Sequence, residues 1–260
     1  RGPQPNGTFN VGGAGHIGLA VCETLVELGA KVAVLDADEK ICEKRARVLN
    51  RRRAVAAFAL PCDLLDESLT RHAVLAAAKR MDGLDILVHA AAYVGTTETP
   101  GWAVQFPRQT AEAFEKAIRL NLTSAFVLTQ EAAPALKRSG RGSVIYIGSI
   151  YGMLGPDFSL YEGTKMANPV GYGASKGGLL QMSRFLAAQL APEVRVNVIS
   201  PGGVWRGQPK VFVDRYNKKT PLGRLAIEED FKGSVAYLAG DMSAYVTGQN
   251  LVVDGGWSAW

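Results

Sequence analysis

The sequence predicts an α/β fold built as a three-layer, doubly wound parallel sheet. Two observations predict it. Short apolar runs alternate with helix-patterned stretches along the chain, and several runs are continuously apolar, as strands buried on both faces require. A glycine-rich turn joins the first run to the first helical stretch, where a strand hands over to a helix.

The elements follow in order. Residues 8–11 are β-prone and lead into Gly12-Gly13-Ala14-Gly15-His16-Ile17-Gly18. A helical pattern over 17–28 stops at Gly29, a good C-terminal signal. Lys31-Val32-Ala33-Val34-Leu35 is a continuous apolar strand that ends at Asp36. A helix near 39–50, a strand near 55–60, a helix near 67–81 and a strand at 85–88 continue the alternation. Two helices cover 110–137, and 143–147 is another strand. A long apolar helix then runs from Tyr172 to Leu190. A strand at 195–199, a helix near 228–240 and a last strand at 250–253 complete the chain. Such alternation implies right-handed crossovers. No linker, low-complexity tract or repeat interrupts it, so the 260 residues read as one domain.

The totals exclude several classes. Hydrophobic residues make up 47% of the chain, enough for a buried core, yet no apolar run reaches the roughly 18 residues of a membrane span. The net charge of +5 is mild, and short basic runs such as Arg51-Arg52-Arg53 read as solvated helix ends. Neither nucleic acid nor membrane is an expected partner. Cys22, Cys42 and Cys62 have no metal-ligand spacing, and their odd number argues against a disulfide framework. They read as reduced thiols of a cytoplasmic protein. His16 and His89 lack a ligand set, so no metal is expected. The opening residues 1–7 have no apolar stretch and read as no signal peptide, although an initiator Met is also missing.

Two constellations carry chemistry. Glycines between a first strand and a first helix let the backbone approach a pyrophosphate, and the helix N-terminus supplies N–H donors and a positive dipole end. An acid about twenty residues on, Asp36, is placed to accept hydrogen bonds from an adenosine ribose. A 2′-phosphate there would meet a carboxylate followed by Ala37 and Asp38, with no adjacent cation. NAD is therefore expected rather than NADP. The competing role for Asp36 is a helix cap, which Asp38 also suits. Second, Tyr172 and Lys176 stand four residues apart on one helix face. A fixed cation beside a phenol moves its pKa, normally about 10, toward a useful acid/base range.

With Gly12, Gly15 and Gly18, then Asp36, Asn121, Ser149, Tyr172 and Lys176 in chain order, the sequence resembles the short-chain dehydrogenase/reductases, which share a Rossmann-type fold. The resemblance covers nearly the whole length. Tyr245-Val246-Thr247-Gly248-Gln249-Asn250-Leu251-Val252-Val253-Asp254-Gly255-Gly256 and Arg195-Val196-Asn197-Val198-Ile199-Ser200-Pro201-Gly202 are similar to segments of the family's shorter branch. The family's longer branch shares the glycine string but carries a further substrate region for which this chain has no room. The resemblance implies an NAD(H)-dependent interconversion of a secondary alcohol and a ketone. Tyr172 would be the acid/base. Lys176 would depress its pKa and hold the nicotinamide ribose. Ser149 would bind the substrate carbonyl, and Asn121 would steady a relay water. Gly12, Gly15, His16, Ile17 and Gly18 would cradle the pyrophosphate. Asp63 and Leu64 would face the adenine, and Ala90 and Ala91 would line the cofactor. Pro201, Gly202 and Val204 would meet the carboxamide. The family usually forms dimers or tetramers, and outward apolar faces together with Trp257 and Trp260 suit a homotetramer.

Tyr161 and Lys165 repeat the Tyr-x-x-x-Lys spacing nearer the family's usual distance from Ser149. Gly163, Pro169 and Gly171 oppose a helix through Tyr161, so Tyr172 is preferred and residues 156–169 read as an insertion over the site. Tyr161 and Lys165 either contact substrate from it or decorate the surface. Val11, His16, His89-Ala90-Ala91-Ala92 and Arg206 depart from the family pattern, where Thr, Gly, Asn-Asn-Ala-Gly and Thr are usual. A lid over 203–223 carries Trp205, Phe212 and Tyr216 with Arg206, Lys210, Arg215, Lys218 and Lys219. That mixture suits an anionic ligand such as a nucleotide-activated sugar, or equally a solvated amphipathic helix. The insertion and Gly255-Gly256-Trp257 look similar to bacterial proteins of surface-sugar or flagellin modification. Two other readings are a 3-oxoacyl-thioester reductase using NADP(H) and a non-catalytic NAD(H)-binding regulator.

Overall fold

The computed structural model describes residues 7–95 and 97–260, so the opening segment read as carrying no leader lies, apart from Gly7, outside the described residues. Among the described residues there are seven strands: β1 (Thr8–Val11), β2 (Val32–Asp36), β3 (Ala57–Pro61), β4 (Ile86–His89), β5 (Gly142–Ile147), β6 (Val194–Pro201) and β7 (Asn250–Val253). All pair in parallel, in the order β3-β2-β1-β4-β5-β6-β7. The order changes direction between β1 and β4. In such sheets the ligand crevice lies outside the strand C-termini at that point.

The two-residue period of a strand divides its side chains between two cores. Phe9, Val11, Ala33, Leu35, Leu87, Val144, Tyr146, Val196 and Val198 face one side, where α3 (Glu67–Met81), α5 (Ser124–Ser139) and α6 (Val170–Leu190) pack. Val32, Val34, Ile86, Val88, Ile145, Ile147 and Ile199 face the other, against α1 (His16–Glu27), α2 (Glu39–Arg52) and α8 (Lys232–Ala239). The result is the expected three-layer, Rossmann-type sheet. No helix of the described residues is long and apolar enough to cross a membrane. The three cysteines are free and buried.

Several boundaries differ from the sequence expectation, each for a local reason. β3 starts at Ala57, because Val55 lies in the preceding turn with φ 55° and is 86% exposed. A β-branched residue rarely holds that backbone, so the apolar run gave no warning. α6 starts at Val170, two residues before Tyr172, with Pro169 as its N-cap. The two helices expected over 110–137 are α4 (Ala111–Ile118) and α5, joined without a break by one π-turn, Arg119–Thr123. The stretch read as a lid contains α7 (Lys210–Lys219). The helix expected near 228–240 is a 3-10 turn, Glu228–Phe231, followed by α8.

Candidate active site

At the C-terminal edge of β1 the chain turns so tightly that side chains are excluded. Gly12 takes φ +75°, and a Cβ on it would lie 2.4 Å from Ala91 N. A Cβ on Gly18 would lie 1.9 Å from Gly12 O, so helix and turn touch backbone to backbone. Asn10, buried on β1, fixes this contact by donating Nδ2 to Gly18 O at 2.8 Å. α1 begins with Gly15 as N-cap, without a side-chain cap or an acid in its first turn. Its leading N–H groups and positive dipole end therefore receive no cap or counter-charge from α1 itself. A dinucleotide pyrophosphate fits this cradle.

Asp36 ends β2 beside the loop. The helix-capping role belongs to Asp38, which accepts from Ile41 N at 3.0 Å. Asp36 accepts from Ala37 N at 2.9 Å, and burial raises its pKa. Arg45, on α2, donates Nε to Ala14 O at 3.3 Å. It is a cation at the loop that local sequence inspection around Asp36 missed. Asp63 is exposed and accepts from Leu65 N at 2.9 Å. The Leu64 side chain belongs to the core, so only its backbone can meet a cofactor. Ala90 and Ala91 follow β4 half-buried, and Ala90 N donates to Val11 O at 2.8 Å.

Ser149, Tyr172 and Lys176 converge from β5 and α6. Ser149 Oγ accepts from Tyr151 N at 3.2 Å, and the Ser149 side chain acts to lower the pKa of the Tyr172 phenol. Lys176 is 2% exposed, its Nζ donates to Ile147 O at 2.6 Å, and it lies 5.7 Å from the Tyr172 ring centre. Burial pushes the Lys176 ammonium down to about 7. The expected depression of Tyr172 is not found. Its phenol is raised by burial, which the Ser149 side chain only partly offsets, since desolvation disfavours phenolate and ammonium alike. Asn121 is fully buried in the π-turn, accepting from Tyr93 N at 2.7 Å and donating to Ser175 Oγ at 2.9 Å. Its side chain thus pins α6 rather than standing free for a water. Such wide turns recur at functional sites.

The rival pair is not on a helix. Tyr161 follows a single 3-10 turn, Phe158–Leu160, and its phenol meets Tyr151 Oη at 2.9 Å and Asn168 Nδ2 at 3.3 Å. The lid cations are mostly engaged within the protein. Lys210 pairs with Asp214 at 2.6 Å, Arg215 donates to Ser159 O and Glu162 O, and Lys219 pairs with Asp157. Arg206 pairs with Glu228 at 2.8 Å. The anionic-ligand argument built on these side chains therefore loses its support. Phe212 and Tyr216 are buried, and the half-buried Trp257 stacks on Tyr216 at 4.4 Å. Trp205 stays 56% exposed and Trp260 81%. Pro201 ends β6, Gly202 N donates to Val253 O at 3.0 Å, and Val204 bridges Ala226.

A family model described as enoyl-(acyl carrier protein) reductase matches residues 12–258. The chain belongs to the short-chain dehydrogenase/reductases. This oxidoreductase is 27% identical over 251 residues to post-translational flagellin modification protein A of Campylobacter coli, covering 96% of both chains. Among solved structures it is similar to an NADPH-dependent 3-quinuclidinone reductase from Rhodotorula rubra. That match has 30% identity and a TM-score of 0.84, and covers 97% and 91% of the two chains. A short-chain dehydrogenase from Leptospira borgpetersenii with bound NAD+ matches at 31% identity and a TM-score of 0.82, covering 99% and 94%. The family's relatives are dehydrogenases and reductases acting on CH–OH groups, and they bind nicotinamide cofactors.

One departure of this dehydrogenase/reductase from the family pattern has a measurable cost. His89 ends β4 fully buried, with Nε2 2.9 Å from Ser124 Oγ and Nδ1 without a partner among the described residues. Burial, then the Lys176 charge, lowers its pKa from 6.5 to about 3. A folded-state pKa below the unfolded value means that the unfolded chain takes up the proton first. Stability is then complete above about pH 6.5 and falls as pH drops toward 3. At pH 5 the loss is about 2 kcal/mol. Urea unfolding of the protein and its His89→Asn variant should show the variant losing less between pH 7 and 5. Parallel loss in both would assign the acid sensitivity to other groups.

Proposed function

We propose that this oxidoreductase interconverts a secondary alcohol and a ketone with NAD(H), using Tyr172 as the acid/base. The observation that carries the proposal is the convergence of Tyr172 with a fully buried Lys176, whose Nζ lies 5.7 Å from the Tyr172 ring centre, at the same sheet edge as the side-chain-free turn at Gly12 and Gly18. The nicotinamide supplies the hydride donor or acceptor when bound. Ser149 holds the substrate oxygen and stabilises the charge that develops on it. Tyr172 gives or takes the hydroxyl proton. Lys176 holds the nicotinamide ribose and, as a cation, favours the phenolate. Asn121 is a positioning residue that sets α6 through Ser175.

For the cofactor, the backbone of Gly12, Gly15, His16, Ile17 and Gly18 meets the pyrophosphate and Asp36 the ribose. Asp63 and the Leu64 main chain meet the adenine, Ala90 and Ala91 line the middle, and Pro201, Gly202 and Val204 receive the carboxamide. A fluorescence titration tests this without a substrate. NADH binding at least tenfold tighter than NADPH is expected, because Asp36 repels a 2′-phosphate. Preference for NADPH, with Arg45 as its counter-charge, would overturn the Asp36 argument and favour a 3-oxoacyl-thioester reductase. NADH binding without Tyr172-dependent turnover would instead make the protein a binding-only regulator.

The whole chain acts as one domain in this reading, with residues 156–169 an insertion at the pocket mouth and 203–223 a lid. Tyr161 and exposed Trp205 are the substrate contacts proposed from them. A sugar substrate is supported by the flagellin-modification relative rather than by lid charge. Phe114, Phe126 and Phe185 are 38%, 43% and 68% exposed on α4, α5 and α6, and support a homodimer or homotetramer through those helices.

A further inference from the structure

Two departures from the family pattern, His16 in the glycine-rich turn and Arg206 after Pro201-Gly202, lie 190 residues apart in sequence yet meet at one atom. Glu228 Oε1 is 2.8 Å from Arg206 Nη1 and 3.4 Å from His16 Nδ1. Glu228 opens the 3-10 turn Glu228–Phe231, which packs on α1. The carboxylate therefore bridges the start of α1 to the lid. Arg206 is further fixed by its Nη1 bond to Trp205 O at 2.6 Å and by its N–H to Gln208 Oε1 at 2.7 Å. The Arg206 side chain is 23% exposed and that of Glu228 27%, so the pair is held at the protein surface with part of each side chain open to solvent.

We infer that Glu228, Arg206 and His16 form an anion-exchange clasp, in which the pyrophosphate of the dinucleotide replaces the Glu228 carboxylate as the partner of Arg206 and His16. The inference rests on the cofactor reading of the glycine-rich turn. The charge logic is direct. The N-terminus of α1 offers uncapped N–H donors with no acid of its own in the first turn, so Glu228 is the anion that the fold supplies there. A guanidinium prefers a bidentate oxyanion, and a pyrophosphate offers more acceptor oxygens than one carboxylate. A side chain at residue 16, where a glycine is usual, then has a use. The imidazole adds a donor at the same anion position. Glu228 works against cofactor binding and keeps Arg206 aimed until it arrives.

The clasp predicts opposite effects at its two ends. In fluorescence titrations with NADH, Arg206→Ala should weaken binding at least tenfold, and Glu228→Gln should tighten it several-fold. By calorimetry, ADP, which carries the pyrophosphate, should follow the same pattern, whereas adenosine should bind all three proteins alike. Should both substitutions weaken NADH binding together, the pair merely braces the lid and the clasp is overturned. Unchanged affinity in both variants overturns it as well. Failure of the unsubstituted protein to bind NADH or ADP would remove the cofactor site itself, and the clasp with it.

Discussion

Tyr172→Phe is expected to reduce kcat by about a thousandfold, the middle of the range for removing a positioned acid/base, while NADH affinity stays within about twofold. The substitution deletes one oxygen. The ring keeps its packing beside Trp102, Ala113 and Ala117, so the fold has little reason to respond. Absorbance at 340 nm with any carbonyl that the unsubstituted enzyme reduces gives the first quantity, and NADH fluorescence gives the second. Retention of most of the turnover would transfer the acid/base role elsewhere, and Tyr161 would be the first residue to substitute. That outcome is not expected, because the Tyr161 phenol is already committed to Tyr151 and Asn168 and no helical lysine accompanies it.

The second large effect concerns backbone contact. Gly18→Ala places a methyl group 1.9 Å from Gly12 O and 2.9 Å from Gly13 Cα. Neither neighbour is a side chain that can rotate away, so the turn and α1 must separate. An overpacking cost of about 3 kcal/mol corresponds to a fall in Tm of roughly 5–10 °C for a chain of this size. NADH binding should be lost along with the turn's geometry. Gly155→Ala is the control, since a Cβ there meets nothing within 4 Å and its φ is not positive. Scanning calorimetry of both variants separates the two cases. Equal stability would mean that the turn yields without strain.

Much of this fold was legible because its strands are buried on both faces, which turns them into unbroken apolar runs such as Val32–Leu35. The same signal overran at Val55, where an apolar residue sits exposed in a turn, because hydrophobicity alone does not report backbone conformation. Candidate site residues could be named where local spacing brings groups together, as at Tyr172 and Lys176, which α6 places side by side. Their pKa shifts could not be read this way, since burial of Lys176 and Tyr172 depends on β5, the π-turn and α6 closing together. The lid cations misled for a related reason. Lys219 and Arg215 find their partners in residues 157–162, more than fifty positions earlier, and no inspection of the lid alone could show them paired. Arg45 and Glu228 were missed on the same account. Their meaning lies in Ala14 and Arg206, which only the folded chain brings near.

The π-turn at Arg119–Thr123 sets the rotational phase of a long helical rod. Its first part, α4, lies on α6, and its second part, α5, lies on α3 and the sheet. A helix advances about 100° per residue, so the one residue that a wide turn accommodates swings everything downstream by that angle. Two apolar stripes, each aimed at a different neighbour, can then share a single unbroken axis. Deleting one residue here would restore more regular hydrogen bonding while rotating α5 away from its neighbours. The Asn121 amide would also leave Ser175. The irregular turn is the joint at which the phase of the scaffold and the position of α6 are fixed together.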